Sequence, residues 1–158
     1  MQKIIVLTTL IGLLVLQGSL AASFIPQKGK KNSEKNALIQ QKTDSLKIIF
    51  QLTTDDTLAH KALMKQLGNI TSVDPSVQIE VVCHGPGLDM LRKDKSTVSP
   101  KIEEFSRKGI VFKACEFSMK ERNVPNEKIL PSAQFVKAGI IYIVNRQREG
   151  WSYIKSGF

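Results

Sequence analysis

Short apolar runs rich in β-branched residues recur along this chain, and each is followed by a loop signal and then by a helical pattern. The clearest runs are 46–52, 77–83, 110–114 and 151–155. Parallel strands need crossover connections, which are normally helices, so the alternation predicts a parallel sheet with helices on both faces. The stretch 128–136 is ambiguous. We therefore predict an α/β domain of three layers, built on a mostly parallel sheet of about five strands.

The spacing of apolar residues places the predicted helices, and residues that favour caps or breaks set their ends. Helices are predicted over 58–67, 88–92, 99–108, 115–123 and 138–149. Asp55 and Asp56 are candidate N-caps of the first helix, and Gly68 followed by Asn69 is its expected end. The last helix is expected to bury Ile140, Ile141, Ile143, Val144 and Gln147.

The start of the chain has the composition of a targeting segment. Lys3 gives a short positive region, residues 4–26 carry no charge, and small residues lead up to Ala21 and Ala22. This pattern predicts a signal peptide over 1–21 that is removed on export, so we expect the protein in the periplasm. The alternative is an uncleaved membrane anchor, for which the apolar run is barely long enough.

Residues 22–45 are predicted to be a flexible basic linker. They carry five lysines and two acidic residues, a charge of +3, without a periodicity that could bury a face. Such a segment could make weak contact with an anionic envelope surface. With Lys3 also set aside, +5 of the total +9 remains for the predicted domain, 46–158, where acidic residues are interleaved. Nucleic-acid binding needs a concentrated basic face, so we expect no nucleic-acid partner.

Ligands of open parallel sheets bind outside the carboxyl ends of the strands, so the residues that follow each predicted strand are candidates for function. After the first two strands, the candidate binding residues are Thr53, Asp55, Cys83, His84, Gly85 and Gly87. After the third strand, Cys115 is the candidate catalytic nucleophile. Two histidines without an acidic cluster at ligand spacing predict no metal site, and no Gly-rich nucleotide loop follows the first strand, so we expect no cofactor.

Cys115 is the stronger of the two cysteines as a reactive thiol. It is expected at the N-terminus of a helix, where the macrodipole and unpaired backbone N–H groups favour the thiolate, the nucleophile of sulfur chemistry. The alternative is an inert, partly buried thiol. Cys83 ends an apolar strand and is explained as well by packing. A disulfide between Cys83 and Cys115 is a further alternative. In a flavodoxin-like strand order, however, the two strand ends would lie about 9 to 10 Å apart, beyond disulfide reach.

His84 could activate a thiol or stand near Cys115, and the Gly-rich turn that begins at Gly85 could hold an anion through its backbone N–H groups. Neighbouring residues on a strand point to opposite faces of the sheet. The adjacency of Cys83 and His84 is therefore not itself a catalytic dyad.

Several segments carry a family resemblance when they are taken together and in order: KIIFQLTTDD, AHKALMKQLGNI, IEVVCHGPGLDML, GIVFKACEFSMKERN and the C-terminal stretch from ILPSAQFVKAGIIYIVNRQREG onward. They resemble the DsrE/DsrF-like sulfur-relay family, in particular its exported single-domain branch. The resemblance covers 46–158 and implies a five-stranded α/β fold and assembly into trimers or hexamers. It also implies a cysteine that accepts sulfane sulfur as a persulfide and passes it on. By position, that cysteine is Cys115, in the stretch Ala-Cys-Glu-Phe-Ser-Met-Lys.

These observations predict an exported sulfur carrier, or sulfurtransferase-like protein, that forms a persulfide on Cys115. Its expected partners are further copies of the same chain and a sulfur donor and acceptor, either thiol-bearing proteins or a small sulfane compound. The alternative is a non-catalytic oligomeric binding module that uses the cleft at the strand ends for a small ligand or a protein partner.

Overall fold

A computed structural model of the chain describes residues 45–157. The predicted signal peptide, 1–21, and all but the last residue of the predicted linker, 22–45, lie outside the described residues. The helices and strands, in chain order, are β1 (Lys47–Leu52), α1 (Thr57–Val73), β2 (Gln78–Cys83), a 3₁₀ segment (Gly85–Leu91), α2 (Ser99–Arg107), β3 (Val111–Cys115), α3 (Glu116–Glu121), a 3₁₀ turn (Asn126–Lys128), β4 (Ala133–Val136), α4 (Gly139–Arg148) and β5 (Ser152–Ser156).

The strands form one five-stranded sheet in the order β4-β3-β2-β1-β5, and every pair is parallel. The predicted α/β class and strand number are confirmed, and the ambiguous stretch supplies the edge strand β4. The flavodoxin-like order, in which β2 and β3 would flank β1, is wrong for this chain because β2 lies between β1 and β3. The ends of β2 and β3 are therefore neighbours.

The two faces of the sheet are covered unequally. On the main face, α1, α2 and the 3₁₀ segment pack on the sheet and form a large core around Phe50, Leu63, Val81, Ile102 and Phe112. On the other face, which we call the α4 face, the smaller core consists of Ile49, Val82, Val136 and Ile143, with Tyr142 and Trp151 packed against it. Within 45–157, no helix combines the length and apolarity needed to cross a bilayer.

Helix α1 continues past its predicted end. It runs through Gly68 and Asn69 to Val73, where Asp74 is the C-cap and its N–H donates to the carbonyl of Ile70. An interior glycine costs a helix only about 1 kcal/mol relative to alanine, whereas the residue before a proline is driven out of the helical region. Asp74 precedes Pro75, so this pair, rather than the glycine, ends the helix.

The predicted buried side of α4 is largely wrong. Ile143 is buried, but Ile140, Ile141 and Val144 are between 45% and 60% exposed, and Gln147 is also exposed. The reason is that α4 packs on a partly polar region of the sheet and turns Tyr142 and Arg146 toward it. Ile140, Ile141 and Val144 therefore lie on the side that faces away from the sheet.

Candidate functional site

Cys115 lies at the end of β3, with its side chain on the α4 face and 4% exposed. Its sulfur accepts a hydrogen bond from the backbone N–H of Gly139, with Sγ and N 3.2 Å apart. Gly139 is the first residue of α4, so this N–H has no acceptor within its own helix. The positive end of the helix and this donor together favour negative charge on Sγ.

The helix at the thiol is not the one that the sequence suggests. Cys115 is the N-cap of α3, but it makes no side-chain capping bond, and α3 has only six residues. The thiol instead meets α4, which begins 24 residues further along the chain. Sequence reasoning missed Gly139, because the contact depends on how α4 crosses the sheet and no local pattern records that crossing.

Gly139 allows α4 to approach the sheet closely. A Cβ atom at this position would lie 3.2 Å from Val82 Cγ1 and 3.4 Å from the Cβ atoms of both Cys115 and His84. The start of the helix therefore sits directly over these two side chains. The strand register agrees: Cys83 is paired with Ala114, so the next residues of the two strands, His84 and Cys115, are neighbours on the α4 face.

His84 is half-buried, and desolvation lowers the pKa of its ring. Its Nε2 lies 2.7 Å from Nε2 of Gln51, which projects from β1. The hydroxyl of Tyr153, on β5, donates to Oε1 of the same amide. Sequence reasoning missed both residues. Gln51 could have been noticed as a polar side chain within an otherwise apolar strand, but its link to Tyr153 depends on β5 lying beside β1.

Cys83 lies on the opposite face of the sheet. Its side chain is fully buried in the main core, and burial raises the pKa of its thiol. Both cysteines are free. Because Cys83 shares its face with Ala114, and Cys115 follows Ala114, the sheet separates the two sulfur atoms. The disulfide alternative does not fit this arrangement, and the packing interpretation of Cys83 does.

The backbone N–H groups of the two glycines in the Gly-rich turn donate hydrogen bonds within the protein. The N–H of Gly85 donates to Ser118 Oγ at 2.8 Å, and the N–H of Gly87 donates to the carbonyl of His84 at 3.2 Å. A Cβ on Gly87 would lie 2.2 Å from the carbonyl oxygen of Leu52. The two glycine N–H groups predicted to hold an anion are thus already bonded within the protein, and Gly87 permits close contact with the end of β1.

The remaining predicted site residues, Thr53 and Asp55, follow β1. Asp55 is exposed, whereas the N-cap of α1 is Asp56, whose Oδ1 accepts from the N–H of Leu58 at 2.8 Å. The capping role proposed for this acidic pair belongs to Asp56. Thr53 contributes its backbone to the contact with Gly87, since its N would lie 2.9 Å from a Cβ at that glycine. Within the described part of the chain, no three His, Cys, Asp or Glu side chains form a metal-binding group.

A buried ionic network fixes α4 on the sheet. Arg146 reaches Glu80 of β2 through two nitrogens, at 2.8 and 3.0 Å, and the hydroxyl of Tyr142 donates to the same carboxylate at 2.7 Å. Burial and the bond to Glu80 raise the pKa of Tyr142 to about 12. Lys113 lies over the Tyr142 ring and donates to Gln134 at 2.6 Å, and burial lowers its pKa. These contacts hold the helix that presents Gly139 to Cys115.

A shallow depression of about 300 Å³ adjoins the start of α4. Its lining is mainly apolar and includes Phe117, Val136, Ala138 and Ile141. Val136 is the strand partner of Cys115 and Ala138 precedes Gly139, so two residues of this lining neighbour the residues of the thiol contact.

The fold and the site together describe an α/β protein whose parallel sheet carries a free cysteine at its carboxyl edge. This cysteine lies under the start of a helix. A profile of the DsrE/DsrF-like family matches residues 47–156. The chain belongs to the DsrE/DsrF-like family, which is of the sulfur-relay type.

A solved structure shares the fold of this chain. MTH1491 from Methanobacterium thermoautotrophicum, described as a protein of unknown function, is 31% identical to this chain. The similarity covers 70% of this chain and 99% of that one, with a TM-score of 0.68. No curated protein matches the chain.

Proposed function

We propose that this protein is a sulfur carrier that holds sulfane sulfur as a persulfide on Cys115. The observation that supports it most directly is the 3.2 Å contact between Cys115 Sγ and the N–H of Gly139, the first residue of α4. A carrier thiol must react as the thiolate, and the start of a helix favours that charge. Membership of a sulfur-relay-type family supports the same chemistry.

The transfer balances without an external oxidant or reductant. The Cys115 thiolate attacks the terminal sulfur of a donor persulfide, R–S–SH. A bond forms between Cys115 Sγ and that sulfur, the donor S–S bond breaks, and the donor leaves as R–S⁻ with the electron pair. An acceptor thiolate then attacks the outer sulfur of Cys115–S–SH, and Cys115 leaves as the thiolate. One sulfur atom has moved, and the carrier is unchanged.

The surroundings of Cys83 do not suit this chemistry. Its side chain is fully buried in an apolar core, and burial raises the pKa of its thiol, so the thiolate is disfavoured. Cys115, by contrast, is the strand partner of Val136, which lines the depression beside α4. Its 4% exposure favours a small sulfane donor, or a cysteine on a flexible segment, over a rigid protein surface.

The low exposure of Cys115 also favours the second candidate, a non-catalytic binding module that uses the cleft at the strand ends. In that role, Cys115 packs under α4 and the depression receives a small ligand or a side chain of a partner. The two functions differ in whether covalent sulfur ever resides on Cys115.

We further propose that the chain is exported and works as a homo-oligomer. Export rests on the pattern of 1–21 in the sequence. Comparing the intact mass of the protein from the cell envelope with that of the full chain tests it, and envelope protein that retains this segment would contradict cleavage. Self-association is supported by the exposed apolar residues of α4, Ile140, Ile141 and Val144.

Intact-mass spectrometry tests the carrier function. The purified full chain is treated with a sulfane donor, excess donor is removed, and thiols are blocked with an alkylating reagent. We expect a species heavier by about 32 Da, one sulfur atom, on Cys115. Cys115→Ser should lack it, and the matched variant Cys83→Ser should keep it. If the species is absent from the unmodified protein, or persists in Cys115→Ser, the binding module becomes the better account.

A further inference from the structure

A row of polar side chains crosses the carboxyl edge of the sheet on the α4 face. It runs over four neighbouring strands, from Tyr153 on β5 to Gln51 on β1, His84 after β2 and Cys115 on β3. The Tyr153 hydroxyl donates to Gln51 Oε1, and Gln51 Nε2 lies 2.7 Å from His84 Nε2. The row therefore connects the last strand of the domain to the thiol site.

The direction of these hydrogen bonds determines which nitrogen of His84 carries the proton. Gln51 Oε1 accepts from the Tyr153 hydroxyl, so the amide nitrogen of Gln51 faces His84. An amide nitrogen only donates, and His84 Nε2 must therefore be the acceptor. A neutral imidazole has one N–H, which places the proton on Nδ1.

The other histidine of the chain has the opposite arrangement. His60 is buried in α1, and its Nε2 lies 2.9 Å from the carbonyl oxygen of Thr54. A carbonyl oxygen only accepts, so Nε2 of His60 must carry the proton. Their hydrogen-bond partners therefore assign opposite tautomers to His84 and His60, the two histidines of the sequence.

We propose that Gln51 and Tyr153 are positioning residues that hold His84 as the Nδ1–H tautomer, so that this ring, although it neighbours Cys115, is not the general base for its thiol. This inference rests on the proposed persulfide function. The lone pair of Nε2 is directed at Gln51 and cannot take the thiol proton.

This role complements the contact of the thiol with α4. A neutral imidazole does not give up its remaining proton near neutral pH, but its N–H can donate to an anion. The donor that reaches Cys115 Sγ is the N–H of Gly139. Because a hydrogen bond to a charged group is stronger than one between neutral groups, this contact matters most when sulfur carries charge.

Nuclear magnetic resonance of the ¹⁵N-labelled full chain at neutral pH tests the tautomers, since long-range ¹H–¹⁵N correlations distinguish the two forms. The unmodified protein should show one histidine in each form, and His84→Asn should remove the Nδ1–H pattern. In Gln51→Glu, a carboxylate that only accepts replaces the amide, so Nε2 of His84 should become protonated. Tyr153→Phe removes the donor that orients the amide, and both tautomers of His84 should then appear.

Gln134→Glu is the matched control, because Gln134 lies on the same face but accepts from Lys113 instead. It should leave the His84 signals unchanged. An Nε2–H form of His84 in the unmodified protein, or signals that Gln51→Glu does not alter, would overturn the inference.

The two proposals fail in different ways. The tautomer is measured without any sulfur donor, so a protein with the expected Nδ1–H form that never accepts sulfur contradicts the carrier function. A protein that accepts sulfur on Cys115 while His84 is in the Nε2–H form contradicts the positioning role alone.

Discussion

His84 is surrounded by protein on one side and solvent on the other, and burial lowers the pKa of its ring. The folded protein therefore favours neutral His84, whereas in the unfolded chain a histidine titrates near its ordinary pKa of about 6.5. As the pH falls through that value, the unfolded chain takes up a proton that the folded protein binds less readily. The free energy of unfolding should therefore decrease.

Urea denaturation at pH 7 and pH 5 measures this dependence. The unmodified protein should lose more stability between the two pH values than His84→Asn, in which the titrating ring is absent. Equal losses in the two proteins would show that the environment of His84 does not disfavour its charge.

The two glycines after β2 should respond differently to alanine, because they serve different purposes. A Cβ at Gly87 would meet the backbone of Leu52 at 2.2 Å, and neither side can move easily, so Gly87→Ala should cost about 3 kcal/mol. Gly85 has φ +53° and open space around it, so Gly85→Ala should cost only the backbone strain of about 1 kcal/mol. Urea denaturation provides both values, and a larger cost at Gly85 would contradict the close contact.

At the scale of elements, α4 is held on the sheet by an ion pair as well as by the apolar packing of Ile143. The side chain of Glu80 is 7% exposed, and Arg146, which pairs with it, is 28% exposed. Arg146→Met leaves the carboxylate in the sheet without its cation, so the free energy of unfolding should fall by about 2 to 3 kcal/mol. Loosening α4 also moves Gly139, so the rate at which an alkylating reagent modifies Cys115 should change in the same variant.

Arg148→Met is the matched control, since Arg148 lies on the same helix and is exposed. It should alter stability by no more than about 0.5 kcal/mol and leave Cys115 alkylation unchanged. Equal effects of the two substitutions would mean that the ion pair does not hold the helix.

Helices and strands that have a local sequence pattern were predictable, whereas the way in which they pack across one another was not. The β-branched runs predicted β1, β2 and β3, because a strand buried on both faces reads as a continuous apolar run; β5 was also predicted, although it is a largely exposed edge strand. β4 was ambiguous because it is a short edge strand with an exposed Gln134 and Phe135. The orientation of α4 was wrong because Arg146 and Tyr142 find partners on the sheet that only the fold provides.

The candidate site was likewise predictable where it depends on local pattern and not where it depends on packing between elements. The rule that chemistry lies at the carboxyl ends of parallel strands pointed to Cys115 and His84, and the structure places them side by side. Gly139, Gln51 and Tyr153 come from other elements and depend on the strand order, which the sequence left open. Gln51 stood out only as a polar side chain in an apolar run, and the residue types of Gly139 and Tyr153 gave no reason to select them.

At the scale of the whole molecule, the unequal cover of the sheet leaves an apolar surface on the outer side of α4. Ile140, Ile141 and Val144 lie there at 45% to 60% exposure, which is unusual for three large apolar residues on one short helix. If this surface joins copies of the chain, light scattering after size-exclusion chromatography should give a multiple of the chain mass. Ile141→Lys should then give a smaller species.

Val73→Lys is the control for that substitution. Val73 is 87% exposed at the end of α1, so the added charge should leave the mass unchanged. A monomeric unmodified protein, or an assembly that Ile141→Lys does not affect, would contradict the proposed contact.

The position of Cys83 on the opposite face of the sheet from Cys115 affects how long a persulfide on Cys115 would last. A thiolate within reach of a persulfide can attack its inner sulfur, forming a disulfide and expelling hydrosulfide, so that the sulfur is lost. Here the second thiol of the domain is buried on the far side of the sheet from Cys115. A persulfide on Cys115 would therefore not react with Cys83 of its own chain, and it would persist until a thiol of another molecule attacks it.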